Sequence, residues 1–292
     1  MTRFPVGLRY AAAGAFCFSL MSAFAKLLGD RIPTQEIILA RGLVVAILSA
    51  HALRRAGISP WGRERPLLLL RGLLGYGALS CFLWAVIRLP LAETTVIHFT
   101  NPVFTAILAA FVLGEILRWQ EVGLTLMALG GVLFIARPGF LFGEASGLDP
   151  VGVLVALLGA VLSAGAYVTA RRLTRTNDPL VIVFFFALVT LVGATPLVVP
   201  VFVMPRGHEW LLLLGVGVAT QGGQVFVTRA LKLEKAGRAM AVGYLQIVFA
   251  ALWGLLWFSE VPDAWTGVGA LVIVLSTFFL GRIHPVVTPA GR

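Results

Sequence analysis

Charge is what this chain has least of. Only 12% of its 292 residues are Asp, Glu, Lys or Arg, about half the ~25% usual in soluble domains. With an apolar content of 59% and a mean hydropathy of +0.95, that shortage excludes a soluble enzyme, a nucleic-acid binder and a disordered chain. Lysine is nearly missing: Lys26, Lys232 and Lys235 are the only three among 23 basic residues. The net charge of +10 is read as a report on orientation in a bilayer, with no nucleic-acid partner implied. Cysteine is scarce too. Cys17 and Cys81 both lie in apolar runs, so no disulfide framework is implied, and both read as small buried side chains. Catalytic patterns are also missing: there is no HExxH pair, no GxSxG elbow and no Cys/His ligand spacing. The four histidines, His51, His98, His208 and His284, sit on different segments. The chain is therefore read as a non-enzyme that needs no cofactor and no metal.

What is present is a series of apolar runs of about 18–23 residues, each long enough to cross ~30 Å of hydrocarbon. Breaks of Gly, Pro and charge place helices at 6–28, 34–53, 67–88, 91–113, 119–136, 150–170, 179–202, 210–229, 238–258 and 264–281. The first run is too long for a cleaved leader, and Lys26 lies near its far end. With the N-terminus inside, sixteen Lys and Arg fall on cytoplasmic segments. Only Arg31, Arg88, Arg137 and Arg206 fall outside, with Lys26, Arg41 and Arg71 within spans. That bias predicts two cytoplasmic termini and an even number of spans. Ten satisfies it.

Sliding the sequence by 145 residues lays one half on the other. Gly7, Gly14, Ala15, Ala25 and Leu28 fall on Gly152, Gly159, Ala160, Ala170 and Leu173. In the loops, Pro60, Gly62 and Glu64 fall on Pro205, Gly207 and Glu209; further on, Phe104, Ala106 and Glu115 fall on Phe249, Ala251 and Glu260. A constant offset through loops as well as helices marks a duplication. The halves are 6–138 and 150–282. Five spans per half would turn the second copy upside down, an inverted repeat of the kind that holds cargo between its halves and works by alternating access. Small residues at every fourth position, Gly7–Ala11–Ala15–Ser19 and Gly152–Ala156–Ala160–Ala164, provide close-packing faces.

Polar side chains inside such spans face the bundle interior or a cavity. Tyr76, Ser80 and Trp84 share one face of the third span; Thr94, His98, Asn101 and Thr105 share one of the fourth. Pro102 is expected to loosen the backbone beside Asn101. The second half supplies Gln221, Gln224, Tyr244 and Gln246, and the sixth span Tyr167. Rings and amides together suit an amphipathic metabolite, with plain interhelical hydrogen bonding as the competing role for each residue. Lys26, Glu36, Arg41 and Glu93 form a candidate charge network in the outer half of the first repeat. Arg41 is expected to pair with Glu36 or Glu93 or to face a water-filled opening, the set serving either as static packing or, at Lys26 or Arg41, as an outer gate or ligand for a substrate carboxylate. Glu115 and Glu260 end equivalent helices and are expected to cap the helix that follows each. His98 and Glu93 are candidates for a coupling proton.

The segment Asn101-Pro102-Val103-Phe104…Leu113-Gly114-Glu115 and its second copy, Gln246-Ile247-Val248-Phe249…Phe258-Ser259-Glu260, resemble the drug/metabolite transporter superfamily. Within it the chain is similar to proteins built from two EamA domains. The resemblance implies an all-α integral membrane fold: ten transmembrane helices as two inverted five-helix repeats around a central cavity. It further implies a transporter of small molecules in the inner membrane. Export of amino acids, aromatic ones included, is the first expectation. Uptake of a vitamin or nucleotide-like metabolite, drug export and a channel are the alternatives. Two complete halves in one chain make a monomer sufficient, with a small-molecule cargo and the lipid bilayer as partners.

Overall fold

A backbone in hydrocarbon has no water to bond to, so each apolar run closes its own hydrogen bonds as a helix. The computed structural model describes residues 4–29, 31–142 and 148–283, and no strand occurs among them. The helices are α1 Val6–Leu27, α2 Thr34–Arg55, α3 Arg65–Arg88, α4 Leu91–His98, α5 Asn101–Leu113, α6 Trp119–Ala136, α7 Gly139–Phe142, α8 Pro150–Leu173, α9 Pro179–Val198, α10 Glu209–Leu233, α11 Ala236–Ala241, α12 Leu245–Phe258 and α13 Ala264–Arg282. They form ten segments long and apolar enough to cross a membrane. The sixth and eighth run on to Leu173 and Leu233, past the 170 and 229 expected. The short α7 falls where only a loop was expected.

Two of the ten segments are interrupted. The fourth breaks at Phe99 and Thr100, and α5 then restarts with Pro102 in its first turn, where a missing N–H leaves no helical bond unmade. The ninth tightens into a 3-10 turn over Val242–Tyr244. Phe99 and Tyr244 are repeat equivalents, so both copies break at one place. Proline accompanies the first break only. Aspartates start three helices: Asp149, Asp178 and Asp263 accept hydrogen bonds from the N–H of Val151, Leu180 and Thr266, relieving orphan donors of the first turn. The N–H and hydroxyl of Thr266 hold the Asp263 carboxyl below the ordinary carboxylate range.

The halves interlock by exchanging equivalent contacts. α1 packs on α10 and α3 on α8, α2 lies against α9, and α6 lies against α13. Glycine makes the first two crossings close. A Cβ on Gly14 would stand 2.7 Å from Val227 Cγ2 and 3.4 Å from Gly223 O; one on Gly159 would stand 3.3 Å from Ala78 O and 3.6 Å from Phe82 N. Ala78 and Phe82 are the repeat equivalents of Gly223 and Val227. The small-residue faces read from the sequence are thus the seams between halves. Large apolar side chains such as Ile87, Phe111, Trp119 and Val192 turn outward and are at least 78% exposed, which only a lipid surround makes favourable.

The α6–α13 crossing has the least room. A Cβ at Gly131 would come within 2.7 Å of Gly269 O, and one at Gly269 within 2.5 Å of Gly131 O. Gly131→Ala is expected to cost about 1–3 kcal/mol by overpacking, read as a lower thermal midpoint of the detergent-solubilised protein by tryptophan fluorescence. Gly123→Ala, where no atom lies within 4 Å, is expected to leave that midpoint unchanged.

Candidate functional site

The clearest chemistry lies at the two ends of the bundle. α5 finishes on Gly114 at φ 67° and α12 on Ser259 at φ 56°, both left-handed. Each turn sends the next N–H back six residues, Glu115 to Ala109 O at 3.2 Å and Glu260 to Gly254 O at 3.0 Å, a Schellman-type cap. The carboxylates then point across to the other half. Glu115 accepts from Arg171 Nε at 3.0 Å, and Glu260 accepts from Lys26 Nζ at 2.5 Å. Lys26 and Arg171 are repeat equivalents, as are Glu115 and Glu260, so one ion pair is built twice. Capping of the following helix was expected instead. The correction has a reason: Asp263 already caps α13, and Glu115 serves the first N–H of α11, Ala236, at 2.8 Å.

These two pairs differ in their surroundings. Lys26 and Glu260, where α1 finishes, are 52% and 58% exposed. Arg171 and Glu115, at the end where α1 starts, are 20% and 12% exposed. Arg171 also donates to Leu231 O at 2.6 Å and Lys232 O at 3.0 Å. Around it Lys235 joins Glu121 and Ile116 O, and Arg238 joins Glu234 and the carbonyls of Leu280 and Ile283. Burial pushes the Glu234 carboxyl up, against the pull of Arg238.

The expected charge network of Lys26, Glu36, Arg41 and Glu93 does not form. Glu36 accepts from Val203 N at 3.0 Å, and Glu93 from Gly139 N at 2.7 Å. One oxygen of each carboxylate is engaged by backbone, the other has no partner among the described residues, and neither acid pairs with Arg41. That guanidinium instead meets Met21 Sδ at 3.7 Å, a weak acceptor. The ion pair beside Glu36's loop is Arg31 with Glu209, whose Nε–Oε1 distance is 2.7 Å.

The remaining candidates fall into two groups. In the first, Ser49 donates to Gln221 at 3.0 Å and Arg71 to Gln224 at 3.1 Å. Arg71 is 3% exposed and lies 4.0 Å over the Phe186 ring. Tyr167 bonds Ser163 and stands within electrostatic range of both Arg41 and Arg71. Arg41, Phe186, Thr190 and Gln224 line a cavity of about 10 Å³, room for a single water-sized probe. Arg71 was set aside in the sequence as one more charge within a span. Its signal was there, since a cation two turns inside an apolar span is costly and marks function by default.

The second group gathers at the breaks. Tyr244 OH donates to Phe99 O and Asn101 Nδ2 to His98 O, each at 2.9 Å. The His98 ring rests 4.8 Å from that of Phe82. Among the described residues, His98 Nδ1 and Asn101 Oδ1 have no hydrogen-bond partner. Gln246 is half-buried on α12 nearby. Tyr76 fills the space against Gly193, and Ser80 bonds Tyr76 O in its own helix. Trp84 lies under Arg88 at 4.3 Å near the end of α3, the position of an interface anchor. Among the described residues no three His, Cys, Asp or Glu side chains stand together as a metal site.

The chain has clear relatives. The model of the EamA-like transporter family matches it twice, over residues 5–137 and 150–282. The pseudopaline exporter CntI of Pseudomonas aeruginosa is 36% identical over 94% of this chain and 96% of its own. Solute carrier family 35 member G1 of Homo sapiens is 33% identical, over 93% and 77%. An S-adenosylmethionine uptake transporter of Rickettsia felis is 27% identical, over 91% of each. A solved crystal structure superposes with a TM-score of 0.81 at 20% identity, covering 96% of this chain and 99% of that one.

The two ion pairs, alike in chemistry, are expected to differ in weight. Glu115→Gln, which leaves the half-buried Arg171 with carbonyl partners but no counter-charge, should cost about 1.5–3 kcal/mol; Glu260→Gln should barely move the thermal midpoint. Ser259→Gly, which relieves a left-handed side chain, should stabilise by about 0.5–1 kcal/mol. Thermal unfolding of the three purified variants checks all of this.

Proposed function

The chain belongs to the EamA-like transporter family and is a multi-pass inner-membrane transporter of small molecules; from that premise we propose that it exports amino acids, aromatic ones included, and related amphipathic metabolites by alternating access. The halves, 6–138 and 150–282, act as inverted repeats with both termini in the cytoplasm. The basic residues, sixteen inside against four outside, support that orientation.

One observation carries the mechanism: Lys26–Glu260 at one end and Arg171–Glu115 at the other are the same latch in two copies. Opening one while the other holds exposes the interior to one side at a time. In the conformation described both are closed, and the space between Arg41 and Gln224 must widen to take cargo. Tyr76, Ser80, Trp84, His98, Asn101, Tyr167, Gln221, Gln224, Tyr244 and Gln246 are proposed as the lining, with Lys26, Glu36, Arg41 and Glu93 steering the outer end. The free His98 Nδ1 and Asn101 Oδ1 offer the cargo a nitrogen and an acceptor. One chain holds both halves of the path, so a monomer suffices. The kinship with an exporter at 36% identity supports outward movement.

Efflux of radiolabelled phenylalanine and threonine from liposomes holding the purified protein tests the reading. Both are expected to leave several-fold faster than from empty liposomes. Asn101→Ala and Gln221→Ala, each removing a bond of about 1 kcal/mol, should slow efflux about fivefold. If neither amino acid leaves faster, with or without a pH gradient, amino-acid export is wrong.

A further inference from the structure

Two guanidiniums, Arg41 and Arg71, lie inside the bundle around Gln224 and Tyr167, and neither forms a salt bridge among the described residues. Arg71, on α3, is buried at 3% exposure, and one of its five N–H donors goes to Gln224. Among the described residues its Nε and Nη1 have no partner. The space it occupies is made for it: a Cβ at Gly75 would stand 3.0 Å from Arg71 Nη1 and 2.8 Å from the Phe186 ring. Phe186 covers one face of the guanidinium at 4.0 Å. Arg41, on α2, lines the cavity that Phe186 and Gln224 also line, and its contact is a thioether sulfur at 3.7 Å. Thr190 and Thr220, on the same wall, spend their hydroxyl protons on Phe186 O and Val216 O. Every carboxylate expected to reach Arg41 is held elsewhere, Glu36 by Val203 and Glu93 by Gly139. The wall therefore presents the Arg41 cation, with Arg71 behind Gln224 and N–H donors to spare, and the acceptors it offers are neutral hydroxyl and amide oxygens.

We infer that Arg41 and Arg71 form a two-cation anion site, and that the cargo is an acidic metabolite bearing two carboxylates, in preference to a neutral zwitterion. This rests on the small-molecule transporter reading above and departs from its neutral amino-acid cargo. Phe186 stacks on the face of the guanidinium and leaves the buried edge donors without partners, so that once the cavity widens a planar carboxylate meets the fork side by side. A single carboxylate would leave the second cation unanswered; a dicarboxylate satisfies both. Gln224, already bound to Arg71, holds the fork in place between visits.

The test uses the full-length protein in nanodiscs, its thermal midpoint read with sodium succinate, glutamate, phenylalanine or phosphate against sodium chloride at equal ionic strength. Succinate and glutamate at a concentration about ten times Kd are expected to raise the midpoint by about 2–4 °C, phenylalanine by less. Arg71→Gln and Arg41→Gln should lose that rise. Gln224→Glu guards against a variant that fails to fold: it supplies an internal acid to Arg71, and should raise the midpoint without ligand while abolishing the response to succinate. A midpoint indifferent to both dicarboxylates, or a succinate response unchanged in the three variants, overturns the proposal. A response to phosphate alone overturns the carboxylate class. Efflux separates the two readings. If phenylalanine and threonine move while dicarboxylates neither bind nor compete, the amino-acid carrier stands and the acidic site falls; if neither moves but succinate stabilises through Arg71, the site stands and that carrier falls.

Discussion

Polar groups inside a bilayer must find their partners within the protein, because no water will stand in for them. The rest of the structure follows from that constraint. Continuous helices meet it for most of the chain. At several places where a helix stops short or is interrupted, a specific side chain completes the account: Tyr244 for the carbonyl of Phe99, Glu93 for the N–H of Gly139, Arg171 for the carbonyls of Leu231 and Lys232. Charged residues are few in this chain, and most of those that are buried are occupied in this way.

Duplication has supplied matching positions, and divergence has filled them differently. Glu93 and Arg238 are repeat equivalents of opposite charge; the acid takes a backbone N–H and the base takes two backbone carbonyls near the end of α13. Each satisfies the end of a neighbouring element with the charge that end requires. Gly114 and Ser259 likewise occupy one left-handed position, the first without penalty and the second with a side chain that dislikes it. The interrupted segments show the same pattern, since the second breaks at the same place without the proline of the first.

Helices, their number and the repeat were legible because each is written in local patterns: apolar length, breaker residues and a constant offset of 145. The equivalence of Lys26 with Arg171, and of Glu115 with Glu260, could be read the same way. Their union could not. A partner 234 residues away leaves no periodic trace, and the sequence pointed to the following helix because that was the nearest positive dipole. Arg41 was assigned an acid by its depth in the outer half of the first repeat, while backbone N–H groups, which no sequence displays, engage one oxygen of each acid. Arg71 could have been singled out from its isolation among Leu and Gly.

The asymmetry between the twin ion pairs resides in their neighbours. Lysine or arginine joins glutamate in both, and it is the carbonyls of Leu231 and Lys232 and the N–H of Ala236 that weight one over the other. A duplicated protein that kept identical latches would rest equally on either side and would have no preferred first step. Here an arginine where the twin has lysine, with the carbonyls its fork reaches, breaks that tie, so if these pairs are the latches proposed above, one substitution within them was enough to bias the resting state.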